Sequence, residues 1–305
     1  MENDRILVTG GGGFIGANLA NKLAENNDVV ALDDGYLGTP ENVSEDVEYV
    51  EQSVLDDDLP TDVDVVFHLA ALSSYAMHED NPTHGARVNV EGFVNTVEQA
   101  RDDGCDTVVY ASTSSIYGSR TEPSPEDMDV TVNTGYEASK MARETYAEYF
   151  QNHYDLTLAG MRFFSVYQGY GGAEEHKGEY ANVIAQFADD LASANAPKLY
   201  GDGEQTRDFT HVDDIVRGLV LAAEHELNGV YNLGTGEAYD FNTVVEMLND
   251  ELGTDIEPEY VENPIPEDVY VHDTCADFSK MHEATGWEPG ISFEEGIELV
   301  CAPYT

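Results

Sequence analysis

Tyr136 and Lys140 stand four residues apart in the run Tyr-Glu-Ala-Ser-Lys. On a helix that spacing puts both side chains on one face, a turn from each other, so an ammonium is brought beside a phenol. A neighbouring cation favours phenolate and draws a tyrosine pKa down from about 10 toward neutrality. Tyr136 is thereby suited to act as a general acid and base. The pattern alone is common on amphipathic helices, and composition gives it weight. The chain carries 61 Asp and Glu against 13 Lys and Arg, and only five of its residues are lysines. Where lysine has nearly vanished, Lys140 is expected to have a task.

A second constellation lies near the start. Arg5-Ile6-Leu7-Val8-Thr9 reads as a short buried strand, followed by Gly10-Gly11-Gly12-Gly13-Phe14-Ile15-Gly16 and a helical pattern through Leu19, Leu23 and Ala24. Strand, glycine turn and helix form the context of a dinucleotide-binding fingerprint. Glycines let the backbone approach a pyrophosphate at a helix N-terminus, where free N–H groups and the dipole favour anions. Four consecutive glycines fit two spacings, so the register stays open. A second apolar run, Asp28 to Leu32, ends at Asp33-Asp34. A carboxylate at Asp33 can accept hydrogen bonds from an adenosine ribose diol and repels a 2′-phosphate, which favours NAD over NADP.

Strands alternating with helices must position these groups. Apolar, β-branched runs are read at 5–9, 28–32, 47–54, 63–71, 107–112 and 156–165, with helical patterns at 86–101 and 136–151. This alternation predicts an α/β fold, a Rossmann-like doubly wound parallel sheet covered on both faces. From Tyr167 the pattern loosens, with helices expected near 180–192, 213–224, 243–252 and 293–300 and a strand at 229–233. The expected organisation is an NAD-binding domain over 1–166 plus about 209–236, with a smaller C-terminal substrate-binding lobe from about 167–208 and 237–305.

The formal net charge of −48 is spread along the whole chain. At molar salt the Debye length shrinks to about 3 Å and such self-repulsion is screened, so a halophilic protein is expected. Nucleic-acid binding, which needs a basic footprint, is not. The widely spaced Cys105, Cys275 and Cys301 suggest neither a disulfide framework nor a metal site. No apolar run reaches membrane-spanning length. The opening Met-Glu-Asn-Asp-Arg has no signal-peptide pattern, so a cytoplasmic location is expected.

These motifs, taken with others in order along the chain, resemble the extended short-chain dehydrogenase/reductase family, and within it the nucleotide-sugar epimerases of the UDP-glucose 4-epimerase type. The resemblance rests on Thr9-Gly10-x-x-Gly13-Phe14-Ile15-Gly16, His68-Leu69-Ala70-Ala71, Asn89-Val90-Glu91-Gly92, Ser112 to Gly118 and Tyr136-x-x-x-Lys140. It continues through Arg162 to Tyr167, Gly201 to Phe209, Tyr231 to Gly236 and Ala276-Asp277. It implies Thr113, Tyr136 and Lys140 as catalytic residues, with Lys140 also holding the nicotinamide ribose. It implies a cofactor lining of Gly10, Gly13, Phe14, Ile15, Gly16, Asp33, Ser53, Val54, Leu69, Ala70, Ala71, Asn89 and Phe164, together with Tyr136 and Lys140. Thr113, Ser165, Lys177 and Arg207 fall on substrate-contacting positions. A guanidinium at Arg207 suits a pyrophosphate, which it can grip in a bidentate fork. Ser53, Ser165 and Gln168 replace the family's usual acid, asparagine and glycine.

The implied reaction removes a hydroxyl proton while hydride passes to NAD, and the transient ketone is then reduced on its other face. A 4,6-dehydratase would carry an Asp-Glu pair after the catalytic Thr; here Ser114 and Ser115 stand there, and neither can protonate a leaving group effectively. The expectation is an NAD-dependent 4-epimerase of a UDP-hexose, in glucose/galactose or N-acetyl form. Glu175-His176-Lys177-Gly178 resembles a segment of ADP-heptose 6-epimerases, which leaves Lys177 as a phosphate ligand or a second base. A sugar dehydrogenase or dehydratase and a non-catalytic NAD-binding regulator are the remaining alternatives. A homodimer through the helices 86–101 and 136–151 is implied by the family.

Overall fold

Seven parallel strands make the central sheet of the computed structural model, which describes all 305 residues. They are β1 (Arg5–Thr9), β2 (Asp28–Asp33), β3 (Glu48–Glu51), β4 (Val65–His68), β5 (Thr107–Ala111), β6 (Thr157–Phe163) and β7 (Gly229–Leu233). Their spatial order is β7-β6-β5-β4-β1-β2-β3, and every adjacent pair is parallel. The order reverses between β1 and β4. At such a switch point the loops leave in opposite directions and open a crevice beyond the strand C-termini.

Helices cover both faces, as a sheet of nearly continuous apolar strands requires. On one side α1 (Phe14–Leu23) and a later helix, Val212–Glu224, bury Leu19, Leu23, Ile215 and Leu219 against Ile6, Val8 and Phe67. On the other, α2 (Gly92–Asp103) and α3 (Gly135–Tyr154) bury Phe93, Val97, Ala147 and Phe150 against Leu7, Val66 and Val108. The C-terminal lobe has its own apolar cluster, built from Tyr167, Ile184, Phe187, Phe209, Phe241, Phe293 and Ile297. The fold is therefore a Rossmann-like parallel sheet with a smaller C-terminal lobe.

Several boundaries moved. The strands expected at 47–54 and 63–71 are shorter, because the residues after Glu51 and His68 turn outward to form the crevice wall. The helix expected at 86–101 begins at Pro82, with Asn81 as its cap, and passes through a π-turn at Arg87–Glu91 before α2. That extra residue per turn directs Asn89 inward. Two short helices, Tyr75–Glu79 and Ser279–Thr285, are too brief to leave a periodic signal.

Candidate active site

The crevice at the switch point is built first by the glycine turn. Gly10 has φ +69°, a left-handed conformation, and any Cβ there would meet the Ala70 backbone at 2.8 Å. A Cβ on Gly16 would lie 2.0 Å from the Gly10 carbonyl oxygen. A Cβ on Gly11 would lie 2.6 Å from that of Ala31, so the structure requires glycine at the first position of both spacings, with Gly13 as the N-cap of α1. At the end of β2 the Asp33 carboxylate accepts from Gly12 N at 3.1 Å and Gly35 N at 3.0 Å. Burial is the largest influence on Asp33 and raises its pKa; the backbone donors pull the other way.

Helix α3 carries Tyr136 and Lys140. Thr134 and Glu137 form a capping box, in which the Thr134 hydroxyl accepts from Glu137 N and the Glu137 carboxylate accepts from Thr134 N. This cap fixes where the helix begins, and so sets Tyr136 in the first turn with Lys140 one turn on. Lys140 donates to the Ala111 carbonyl at 3.1 Å, at the C-terminus of β5, and its nitrogen lies 5.8 Å from the Tyr136 ring centre. Thr113, two residues beyond Ala111, shares a hydrogen bond of 2.9 Å with Ser115 Oγ, and its hydroxyl favours the Tyr136 phenolate.

One expectation is corrected here. Burial pushes the Tyr136 phenol above its usual value, offset in part by Thr113 and Arg143, so the net direction is up and not toward neutrality. Tyr136 as a whole is half-buried, and desolvation is the dominant influence on its hydroxyl. Lys140 is itself buried, and loss of hydration lowers its pKa well below the normal lysine range.

Gly10, Gly13, Phe14, Ile15, Gly16 and Asp33 line this one crevice, with Val54, Leu69, Ala70 and Ala71 beside them. Thr113, Tyr136, Lys140 and Lys177 complete the set that the crevice brings together. Ser53, Asn89, Phe164, Ser165 and Arg207 are not on its wall. Gln52 and Val54 face the crevice, whereas the Ser53 hydroxyl turns back to accept from Leu55 N. Asn89 is wholly buried behind the wall, where it accepts from Leu72 N at 2.8 Å and donates to Ser139 Oγ at 2.9 Å. Phe164 stacks on Tyr117 at 6.0 Å while its neighbour Phe163 takes the crevice side. Ser165 lies in a turn at φ +21° whose carbonyl accepts from Thr210 N. Arg207 donates to the carbonyls of Thr206, Val271 and His272 and sits 5.6 Å from the rings of both Phe241 and Tyr270. It stands beside a second groove lined by Tyr200, Gln205, Asn263, Tyr270 and His272.

Two features left no signal in the sequence. His78, from the helix Tyr75–Glu79, packs edge-on against the Tyr136 ring at 5.7 Å. The segment carrying Lys177 is clasped onto the first domain by a reciprocal amide pair, Asn18 with Gln168 at 2.9 and 3.0 Å, and by Asn42 with His176 at 2.9 Å. Buried Glu174 organises that segment by accepting from the backbone N–H groups of Gln168, Gly169 and Asn182. Lys177 Nζ is thereby held 5.5 Å from the Phe14 ring, over the start of α1.

The family model for the NAD dependent epimerase/dehydratase family matches residues 6–234. The chain belongs to this family. It is similar to a putative UDP-glucose 4-epimerase of Methanocaldococcus jannaschii, with 35% identity over 306 residues covering 97% of this chain and 96% of that one. The UDP-glucose 4-epimerase of Thermotoga maritima, solved with UDP-glucose, superposes with a TM-score of 0.91 at 32% identity, covering 98% and 97% of the two chains. That of Thermus thermophilus, solved with NAD, gives 0.87 at 30% identity over 98% of each.

As a member of the family the protein is an NAD-dependent enzyme of the epimerase type, and its residues fit that cofactor. The glycine turn leaves no room for a side chain where a diphosphate must approach, and Asp33 stands at the end of β2 where a ribose diol is read. No group of three His, Cys, Asp or Glu side chains is arranged to hold a metal, and the three cysteines are buried and free. No helix is long and apolar enough to cross a membrane.

Proposed function

We propose that the protein is a UDP-hexose 4-epimerase in which Tyr136 is the proton-transfer group. The observation that carries this reading is the convergence of Tyr136, Thr113 and Lys140 on the crevice formed by Gly10, Gly13 and Gly16. NAD held there supplies a reversible hydride acceptor. Tyr136 takes the proton of the sugar C4 hydroxyl and returns it, while Thr113 hydrogen-bonds the same oxygen and keeps it in line. Such a positioned acid–base group contributes about 10²- to 10⁴-fold in rate. Lys140 binds the nicotinamide ribose, and Asp33 the adenosine ribose.

Ser114 and Ser115 support epimerisation over dehydration, since neither is an acid and Ser115 Oγ is already engaged by Thr113. The groove beside Arg207 is our candidate for the nucleotide end of the substrate, with Arg207 buttressing Tyr270 and the carbonyls at 271–272. Lys177 fits a phosphate ligand best, because it lies over the helix start that faces the crevice. A homodimer would use the exposed groove between α2 and α3, where Val90, Val94 and Tyr146 are presented; sedimentation velocity reads its mass directly.

The test is to incubate the protein in molar KCl with UDP-glucose, UDP-N-acetylglucosamine and ADP-heptose, following product stereochemistry and NADH absorbance. Interconversion of a UDP-hexose without net NADH is expected. Stoichiometric NADH would replace the reading with a dehydrogenase, and turnover of ADP-heptose alone with a 6-epimerase.

A further inference from the structure

Arg143 follows Tyr136 and Lys140 on the same face of α3, at the i, i+4, i+7 spacing, and is wholly buried. A guanidinium in the interior is ordinarily paired with a carboxylate, because an unpaired charge is costly to desolvate. Arg143 has no such partner. The adjacent Glu144 is taken by Arg162 at 2.7 Å, and no acidic side chain forms an ion pair with Arg143. Its donors go to three main-chain carbonyls from three separate segments. Nε reaches Asn89 O at 2.6 Å, Nη2 reaches Ala70 O at 2.7 Å and Nη1 reaches Ala111 O at 3.4 Å. The guanidinium also lies 5.9 Å from the Phe93 ring centre.

Those carbonyls are not arbitrary. Ala70 and Ala111 follow or end β4 and β5 and line the crevice, and Asn89 is the π-turn residue tied to Leu72 and Ser139. Ala111 O is also the acceptor of the Lys140 ammonium. One planar fork therefore joins the two strand ends to the helix that carries the acid–base pair, and leaves its charge uncompensated beside them.

We propose that Arg143 is a positioning residue for the reaction: it clamps the ends of β4 and β5 to α3 and supplies a buried positive charge, unpaired with any carboxylate, that favours Tyr136 as phenolate. This rests on Tyr136 being the acid–base group. Arg143 acts to draw the Tyr136 phenol down and disfavours a second cation on Lys140, while burial lowers its own guanidinium pKa to about 10. The other groups around Tyr136 cannot take its place. On its own helix Glu137 opposes phenolate. His78, against its ring, is kept toward the neutral form by burial. Thr113 is uncharged, and Asp33, His84, His176 and Lys177 lie elsewhere along the crevice.

The experiment titrates Tyr136 by tyrosinate absorbance in the NAD-loaded protein in molar KCl, as the difference between each variant and the same variant carrying Tyr136→Phe. This readout needs no substrate, so it stands whether or not UDP-hexose is turned over; loss of activity in Tyr136→Phe alone tests the reading beneath it. Arg143→Met removes charge and fork, and should raise the Tyr136 midpoint by about one pH unit or more. Arg143→Lys keeps the charge and should move it less than half as far. If Arg143→Met does not fold, Arg143→Gln, which keeps N–H donors without charge, is read in its place with the same expectation. An unmoved midpoint in the folded neutral variant, or an equal shift in Arg143→Lys, overturns the proposal.

Discussion

The Lys140 ammonium is directed at the Ala111 carbonyl, 3.1 Å away, and not at the hydroxyl of Tyr136, whose ring centre lies 5.8 Å from it. The lysine thus ties the first turns of α3 to the end of β5. Its proximity to the phenol follows from that anchoring. With both groups desolvated, phenol pKa up and ammonium pKa down, the protein by itself holds Tyr136 on the phenol side, with Thr113 and Arg143 offsetting only part of the desolvation. The positive charge of an oxidised nicotinamide in the same crevice would act in the missing direction.

Tyr136→Phe should lower kcat by about 10²- to 10⁴-fold while NAD affinity stays near wild type, since only the proton carrier is removed. Turnover and equilibrium NAD binding measured on one preparation decide this. Retention of more than a small fraction of the rate would assign proton transfer to another group.

Asp33→Asn should weaken NAD binding by about 10- to 100-fold and admit NADP. The carboxylate both orders the turn, through Gly12 N and Gly35 N, and repels a 2′-phosphate. Losing a charge-assisted bond of about 1.5–3 kcal/mol accounts for that scale. Calorimetric titration with each dinucleotide reads it, and unchanged discrimination would remove Asp33 from the ribose site.

Lys177→Gln should raise KM about tenfold with kcat little changed, as expected for a phosphate ligand contributing about 1.5 kcal/mol. A second base would instead lower kcat. Burial lowers the Lys177 pKa, so affinity for phosphorylated ligands should fall with rising pH earlier than for an ordinary lysine.

Stability should decline as pH falls below about 6.5, the ordinary histidine pKa. His68 is wholly buried, its Nε2 has no partner, and burial holds its pKa well below the usual value. The unfolded chain accepts a proton that the folded state refuses, so stability from this group is complete above the unfolded pKa and lost on acidification toward the folded one. The slope is about 1.4 kcal/mol per pH unit for one proton. Denaturant unfolding at several pH values, in wild type and His68→Asn, should show the slope reduced in the variant. An identical slope would place the acid sensitivity elsewhere.

Molar KCl should raise the thermal midpoint by roughly 10 °C relative to dilute buffer, because screening removes repulsion that a net charge of −48 imposes. A midpoint indifferent to salt would refute salt adaptation as the account of the acidic composition.

The sequence by itself determined the α/β alternation, the glycine turn, Asp33 at the end of the second strand and the one-turn spacing of Tyr136 and Lys140. These are local: each follows from the period of a strand or helix, or from the sterics of glycine, and needs no distant partner. Tertiary structure decided the rest. It made glycine obligatory in the turn, because the approach of Ala70, Ala31 and the Gly10 carbonyl forbids a Cβ at Gly10, Gly11 and Gly16. It turned Asn89 and Arg207 away from the crevice, where neighbouring carbonyls could satisfy their donors. It brought Lys177 over Phe14 through contacts across about 150 residues, and it buried Arg143 among carbonyls from three segments. The pKa of Tyr136 belongs to that second class: helical spacing makes Lys140 a neighbour, but desolvation, a property of everything packed around the hydroxyl, sets the direction.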